Sequence, residues 1–228
     1  SEDRLLTEEY YDETGAPFAL GGDYAAVTYT YDAFGNVLSE ATFGADGAPV
    51  LSSRGYARVD REYENGHLLS EVYTDAEGKP ILQSSGYASL RQTWDTQGHK
   101  LDEQYFGEDG EPITLSGGYS ARAYAYDDNG NMIAEAWYGP EGSLVLLPEG
   151  YSRVTYEYDA NGNCVLARYY DEDTPVMIED GYMAVAYTYD ARGRLIQESL
   201  LGAGDQRVMG ARGYSAIAYV YDNAGHTL

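Results

Sequence analysis

Glutamate recurs at one position of a repeated segment, and it is the side chain in this sequence with the clearest catalytic chemistry. Two carboxylic acids about 5–10 Å apart, one with a raised pKa, can hydrolyse a glycosidic bond. The column comprises Glu8, Glu40, Glu71, Glu103, Glu135 and Glu198. An enzyme is expected to add a reactive group in one copy, whereas the break in this column, Ala167, removes a carboxylate. We therefore interpret the column as structural, with Glu accepting hydrogen bonds from Tyr hydroxyls or turn amides, and we expect a protein that is not an enzyme.

Oxygen-bearing side chains alternate in two Asp-containing segments, as they do in loops that bind calcium. The candidate ligands are Asp127, Asn129, Asp159 and Asn161. Neither segment has the bidentate Glu that an EF-hand carries downstream, and an Asp-x-x-Gly turn accounts for these residues without a metal. Cys and His are not grouped at metal-ligand spacing. The sequence predicts no cofactor and no metal, with calcium as the weaker alternative.

Tyrosine dominates the aromatic residues, with 25 Tyr against 4 Phe and 2 Trp. Flat amphipathic rings in an exposed row suit sugar rings or extended peptides, because they give contact area at low side-chain entropy. The predicted ligand-binding positions are Tyr29, Tyr31, Tyr124, Tyr126, Trp137, Tyr156, Tyr158, Tyr187 and Tyr189. The alternative is that these rings hold each repeat against the next and bind nothing.

The elements that position these residues belong to a repeat of 31 or 32 residues. Its register is marked by Gly-Tyr pairs at Gly55-Tyr56, Gly86-Tyr87, Gly118-Tyr119, Gly150-Tyr151, Gly181-Tyr182 and Gly213-Tyr214. We predict a single repeat domain over residues 1–228, with a half unit at 1–22, units that begin near 23, 55, 86, 118, 150 and 181, and a half unit at 213–228.

Each unit has the pattern of a β-hairpin. Residues 153–158 alternate between apolar and polar, which indicates a half-buried strand. An Asp-x-x-Gly turn and a second strand follow, and a second Gly-containing turn then leads to a Pro that begins a short third strand. Since a unit of this size cannot bury its own sheet face, neighbours must stack. We predict an all-β fold of tandem hairpins in an open solenoid or spiralling antiparallel sheet, and favour it over a closed seven-unit ring.

The acidic composition of the chain excludes some classes of binding partner. The 38 acidic and 14 basic residues give a formal net charge of -24, which repels nucleic acid and anionic lipid. We therefore expect no nucleic-acid partner and no direct insertion into a membrane. The lone Cys164 reads as a small core residue, and His67, His99 and His226 read as solvated turn residues.

The run from Tyr187 to Leu195, Tyr-Thr-Tyr-Asp-Ala-Arg-Gly-Arg-Leu, resembles the tyrosine-aspartate repeats of bacterial RHS-type proteins. The similarity extends over nearly the whole chain, although the unit here is longer, with an added Asp-Gly-x-Pro-Val segment, and these 228 residues show no toxin domain. Relatives of this type are secreted or surface proteins whose hairpins coil into a long sheet. The resemblance therefore implies a β-rich spiral located outside the cell or on the bacterial cell surface.

Repetition without a unique reactive group favours a function based on many weak, identical sites. We expect a non-enzymatic extracellular repeat module that binds a polysaccharide or a surface protein through its repeated aromatic positions. The alternative is a purely structural stalk or shell segment of a larger surface or toxin-related protein.

Overall fold

A computed structural model describes residues 4–222 of the chain, and these residues are almost entirely β-structure and turns. They form two compact units, divided after Ser116. The only helical segments in this range are two short 3₁₀ helices, Leu20–Gly22 and Ala203–Asp205. None of the helical segments between residues 4 and 222 has the length and hydropathy to cross a membrane.

The first unit is an antiparallel sheet whose strands pair in chain order. Its strands are β1 (Thr7–Glu9), β2 (Ala26–Tyr31), β3 (Val37–Phe43), β4 (Arg58–Glu64), β5 (His67–Thr74), β6 (Ser89–Trp94) and β7 (Lys100–Phe106). The pairs β2–β3, β4–β5 and β6–β7 are the hairpins of the units that begin near residues 23, 55 and 86.

The second unit repeats this arrangement. Its strands are β8 (Ala121–Tyr126), β9 (Met132–Tyr138), β10 (Arg153–Tyr158), β11 (Cys164–Asp171), β12 (Thr174–Pro175), β13 (Ala184–Tyr189), β14 (Leu195–Leu201) and β15 (Ala216–Ala218). Strand β12 pairs only with β11, and the other strands pair in chain order. The order is linear in both units, so the predicted all-β fold of tandem hairpins in an open antiparallel sheet is confirmed. Residues 223–228 of the last predicted half unit, including His226, lie outside the described residues.

Hairpin turns follow the predicted chemistry. In the turn after β2, Asp32 Oδ1 accepts hydrogen bonds from the amides of Phe34, Gly35 and Asn36 at 2.7–2.9 Å, and Gly35 has a φ of +103°. The register shifts by one residue just before this turn, which is the signature of a β-bulge. The β4–β5 hairpin differs: Asn65 and Gly66 both have positive φ, as in a two-residue type I′ turn.

The predicted third strand is shorter than expected. In most units it is a single bridge, such as Phe43 to Pro49 or Phe106 to Pro112, and only β12 extends it to two residues. The length does not depend on Pro alone, because β12 contains Pro175 whereas the single bridges at Leu144 and Arg207 involve no Pro.

The core lies on one face of the sheet, here called the tyrosine face, onto which Val27, Tyr29, Tyr31 and their equivalents project. Alternate residues of a strand point to opposite faces, and Val59 and Val154 are 0% and 3% exposed on this one. In the second unit, Trp137, Leu147, Val154 and Ala167 form a buried cluster. Because Leu147 belongs to the irregular segment after β9, these segments cover one end of each hairpin.

Candidate functional site

At five positions, the aromatic residue at the end of a hairpin's first strand bonds to the hairpin before it. Its hydroxyl, or the Nε1 of Trp94, donates to a backbone carbonyl near the start of the preceding second strand, at 2.7–2.8 Å. These bonds run from Tyr31 to Leu5, from Trp94 to Leu68, from Tyr158 to Met132, from Tyr189 to Cys164 and from Tyr221 to Leu195. Three predicted binding residues, Tyr31, Tyr158 and Tyr189, thus join neighbouring hairpins, while Tyr126 occupies the same position at the end of β8.

A planar side chain from the preceding turn stacks on several of these rings. The His67 imidazole lies 4.7 Å from the Trp94 ring, at an interplanar angle of 25°. The Arg194 guanidinium lies 4.7 Å from the ring of Tyr221. His67 was expected to be a solvated turn residue, but it is half-buried because the next hairpin's ring covers it.

A second aromatic row runs through the core. Trp137 is 7% exposed, and the ring centroids of successive members lie 5.0–5.9 Å apart. In the second unit the row is Trp137, Tyr151, Tyr169 and Tyr182. Trp137 was predicted to bind a ligand, but its ring area is used in packing. Tyr151 and Tyr182 of this row belong to the repeated Gly-Tyr pairs. The sequence analysis used those pairs to set the register of the repeat and did not predict that their rings pack in the core.

A third row lies opposite the glutamate column. Tyr29, Tyr124 and Tyr187 pair with Glu40, Glu135 and Glu198. Tyr156 pairs with Ala167 instead, and the Tyr156 and Tyr187 hydroxyls have no hydrogen-bond partner among residues 4–222. Burial raises the pKa of Tyr187 to about 12, so its hydroxyl stays protonated at neutral pH.

The glutamates accept hydrogen bonds from phenols, as the sequence predicted, and also from cations, which it did not predict. Glu71 accepts from the Tyr73 hydroxyl and, at 3.0 Å, from Arg61 Nε. The Tyr105 hydroxyl donates to Glu103 at 2.8 Å, and that of Tyr219 donates to Glu198 at 2.7 Å. A Tyr10 hydroxyl bond to Glu8 raises the pKa of that phenol to about 12. Each of these carboxylates is held by neighbours.

The candidate calcium ligands are used by their own turns. Asp127 Oδ1 accepts from the amides of Asn129 and Asn131 at 2.9 Å, and its Oδ2 accepts from the Asn131 side chain. Asp159 does the same with Asn161 and Asn163. The side-chain bonds from Asn131 and Asn163 lower the pKa of the two carboxyls. Three or more His, Cys, Asp or Glu do not come together in a metal-binding group anywhere in residues 4–222.

Solvent-open grooves lie between the first turns of successive hairpins. One, with a cavity volume of about 590 Å³, is lined by Asn163, Val165, Tyr187, Tyr189 and Arg192 among others. An equivalent groove of about 400 Å³ is lined by His67, Leu69, Gln92 and Trp94 among others. Of the predicted binding residues, Tyr187 and Tyr189 are therefore brought together at a groove.

Comparison with known proteins identifies the fold but no family. Neither a protein-family model nor a curated protein matches the chain. The crystal structure of TcdB2-TccC3-Cdc42 matches 89% of this chain with a TM-score of 0.54 at 19% identity, and that of TcdB2-TccC3 without its hypervariable C-terminal region matches equally. The chain spans 9% of the length of those chains. At this identity the likeness shows the fold alone.

Proposed function

We propose that this chain is a non-enzymatic structural segment, a shell or stalk, of a larger secreted or surface-exposed, toxin-related protein. The observation that carries the proposal is the repeated bond from an aromatic hydroxyl or indole to the backbone of the preceding hairpin. Tyr31, Trp94, Tyr158, Tyr189 and Tyr221, here called the staple residues, all make it.

Such a bond stabilises an array rather than a single hairpin. An isolated hairpin of about 32 residues cannot bury its apolar face, so stability depends on contacts between neighbours. Each staple residue adds a packed ring and a hydrogen bond worth about 0.5–1.5 kcal/mol to that contact. Rings used in this way are expected to transmit stability along the chain.

The similarity of the chain to other proteins also supports a structural role. Its tyrosine-aspartate pattern resembles RHS-type repeats, and its fold matches a small part of much longer chains in TcdB2-TccC3 structures. Both are consistent with one segment of a large assembly outside the cytoplasm.

The test is a hydroxyl deletion that separates stability from binding. Tyr158→Phe keeps the ring and removes the bond to the Met132 carbonyl, so a structural segment should lose about 1 kcal/mol in chemical denaturation. Tyr11→Phe is the matched control, because the Tyr11 hydroxyl bonds only to Glu9 of its own edge strand. An unchanged stability of Tyr158→Phe, together with lost adhesion to cells or glycans, would refute the structural role.

A second candidate function is binding of a polysaccharide through the repeated aromatic positions. It is favoured by the hydroxyls of Tyr156 and Tyr187, which find no hydrogen-bond partner within residues 4–222, and by the groove that Tyr187 and Tyr189 line. A glycan and cell-wall array, probed with and without calcium, tests it. Retention on one class of polysaccharide would support this function. Absence of binding to every glycan on the array would leave only the structural function.

A further inference from the structure

The irregular segments that follow the second strands of the second unit share one backbone register. In each, an amide donates back to the strand at 3.0 Å, from Val145 to Trp137, from Val176 to Tyr169 and from Val208 to Leu200. The next residue of each segment lies in solvent and is aliphatic in all three. Leu146, Met177 and Met209, here called the aliphatic row, are 55%, 57% and 65% exposed.

The aliphatic row is separate from the core. Leu147 and Ile178, the residues that follow Leu146 and Met177, are buried, because neighbouring residues of an extended segment point to opposite sides. The core therefore takes its apolar side chain from the next position, and the fold itself does not require an apolar residue in the row.

Backbone hydrogen bonds bring the members of the row side by side. These bonds join successive segments two or three residues beyond the row, from the Glu179 amide to the Glu149 carbonyl at 2.9 Å and from the Ala211 amide to the Asp180 carbonyl at 2.7 Å. Leu146 thus lies beside Met177, and Met177 beside Met209. A single exposed apolar residue needs no explanation, but a continuous exposed strip is typical of an interaction surface.

Carboxylates flank the first two members of the row. Residues 139–150 and 172–181, the segments of Leu146 and Met177, contain six acidic residues and no Lys or Arg. Glu149 and Glu179 are exposed, and neither forms an ion pair within residues 4–222. The segment of Met209 contains two arginines, so the negative charge is concentrated at the other two.

We propose that the aliphatic row binds a basic amphipathic segment of a partner protein, with its apolar side on Leu146 and Met177 and its Lys or Arg side chains at Glu149 and Glu179. Such a segment places apolar residues along one side of a helix, and the flexible, polarisable Met side chain adapts to that surface. The exposed carboxylates attract a cationic partner. A second copy of this chain would instead bring its own carboxylates against them.

This surface goes beyond the proposed structural function and uses none of the staple residues. Loss of the stability effect of Tyr158→Phe and loss of partner binding are therefore separate results, and either can fail without the other.

The probe is a helical peptide of about 18 residues, built from Leu and Lys with every Leu on one side. It is titrated against the full chain carrying ¹³C-methyl methionine. The four methionines give an internal comparison: the peptide should shift the Met177 and Met209 signals saturably and leave those of the half-buried Met132 and Met183 in place. A peptide of the same composition with Leu spread around the helix should bind at least about tenfold more weakly, because it cannot cover the row.

Variants of exposed residues locate the site. Met177→Gln removes an apolar contact and should weaken binding of the Leu-Lys peptide at least about tenfold. Val220→Gln is the matched control, because Val220 is 61% exposed in the same unit but lies outside the row, and its affinity should equal that of the parent chain. Glu149→Gln combined with Glu179→Gln should weaken binding at low salt and reduce its salt dependence. Circular dichroism checks that each variant keeps the fold.

Three results would overturn the proposal. Equal affinity of Met177→Gln and the parent chain would show that the row takes no part in binding. A Leu-Glu peptide of the same design that binds as well as the Leu-Lys peptide would show that the carboxylates do not select a basic partner. Self-association of the chain in analytical ultracentrifugation, abolished by Met177→Gln, would make a second copy the occupant.

Discussion

Gly98 lies against the imidazole of His67, so that a Cβ at Gly98 would come within 3.0 Å of both His67 Cε1 and Nε2. The imidazole cannot move away freely because it also stacks on the Trp94 ring. Gly98 also has a φ of +89°. This glycine therefore serves two needs at once: the turn conformation and the close approach of the preceding hairpin.

Gly98→Ala is expected to destabilise the chain by about 2 kcal/mol, from the strain of a left-handed backbone and from the clash with His67. Gly110→Ala is the control, because Gly110 has a similar φ of +80° but has nothing within 4 Å of an added Cβ. It should cost only about 1 kcal/mol. Equal losses in urea denaturation would show that the contact with His67 contributes nothing.

Ala167→Glu is expected to stabilise the chain by about 1 kcal/mol, because the new carboxylate gives an acceptor to the Tyr156 and Tyr187 hydroxyls, which have none among residues 4–222. Ala167→Gln should stabilise less, since hydrogen bonds to a neutral amide are weaker. Differential scanning calorimetry of both variants measures the effect. A lower melting temperature for Ala167→Glu would mean that desolvation of the carboxylate outweighs its hydrogen bonds.

Acid should destabilise the first turns. The amide and ring of His99 lower the pKa of Asp95 to about 2. Since the folded pKa is below the unfolded value of about 3.9, this stability is present above pH 4 and is lost as the pH falls toward 2. Thermal melts over this window should decline less for Asp95→Asn than for the parent chain. Parallel declines would show that Asp95 adds no pH dependence.

Alkali should destabilise the tyrosine face. Burial raises the pKa of Tyr187 to about 12, so the neutral phenol is favoured in the folded state. That stability is complete below the unfolded pKa of about 10 and is lost as the pH rises toward 12. Absorbance titration at alkaline pH should show phenols that ionise late and together with unfolding, and Tyr187→Phe should reduce their number by one. Ionisation of every phenol near pH 10 would contradict this burial.

Much of the fold could be predicted because its signals are local. The alternation in residues 153–158 matches strand β10, and the Asp-x-x-Gly pattern matches turns in which an Asp such as Asp32 accepts the turn amides. The shortened third strand shows a limit of this reasoning, since a Pro pattern marks where a strand could start but not whether a ladder continues.

The candidate site was less predictable because its contacts join different repeats. Tyr158 and its Met132 acceptor are 26 residues apart, and nothing in a period-two pattern tells whether a hydroxyl faces solvent or the previous hairpin. Trp137 shows the same limit. The alternation of residues predicts which face of the strand Trp137 lies on, but its burial depends on Leu147, which comes from an irregular segment.

The sequence by itself determined the repeat, the hairpins and the positions of the turns, because strand alternation and turn chemistry act over a few neighbouring residues. Only the tertiary structure decided which aromatic rings join hairpins and which line a groove, and it alone placed Tyr169 and Tyr187 around Ala167. The reason is physical: those outcomes depend on which hairpin packs against which, and that packing brings together residues a full repeat apart.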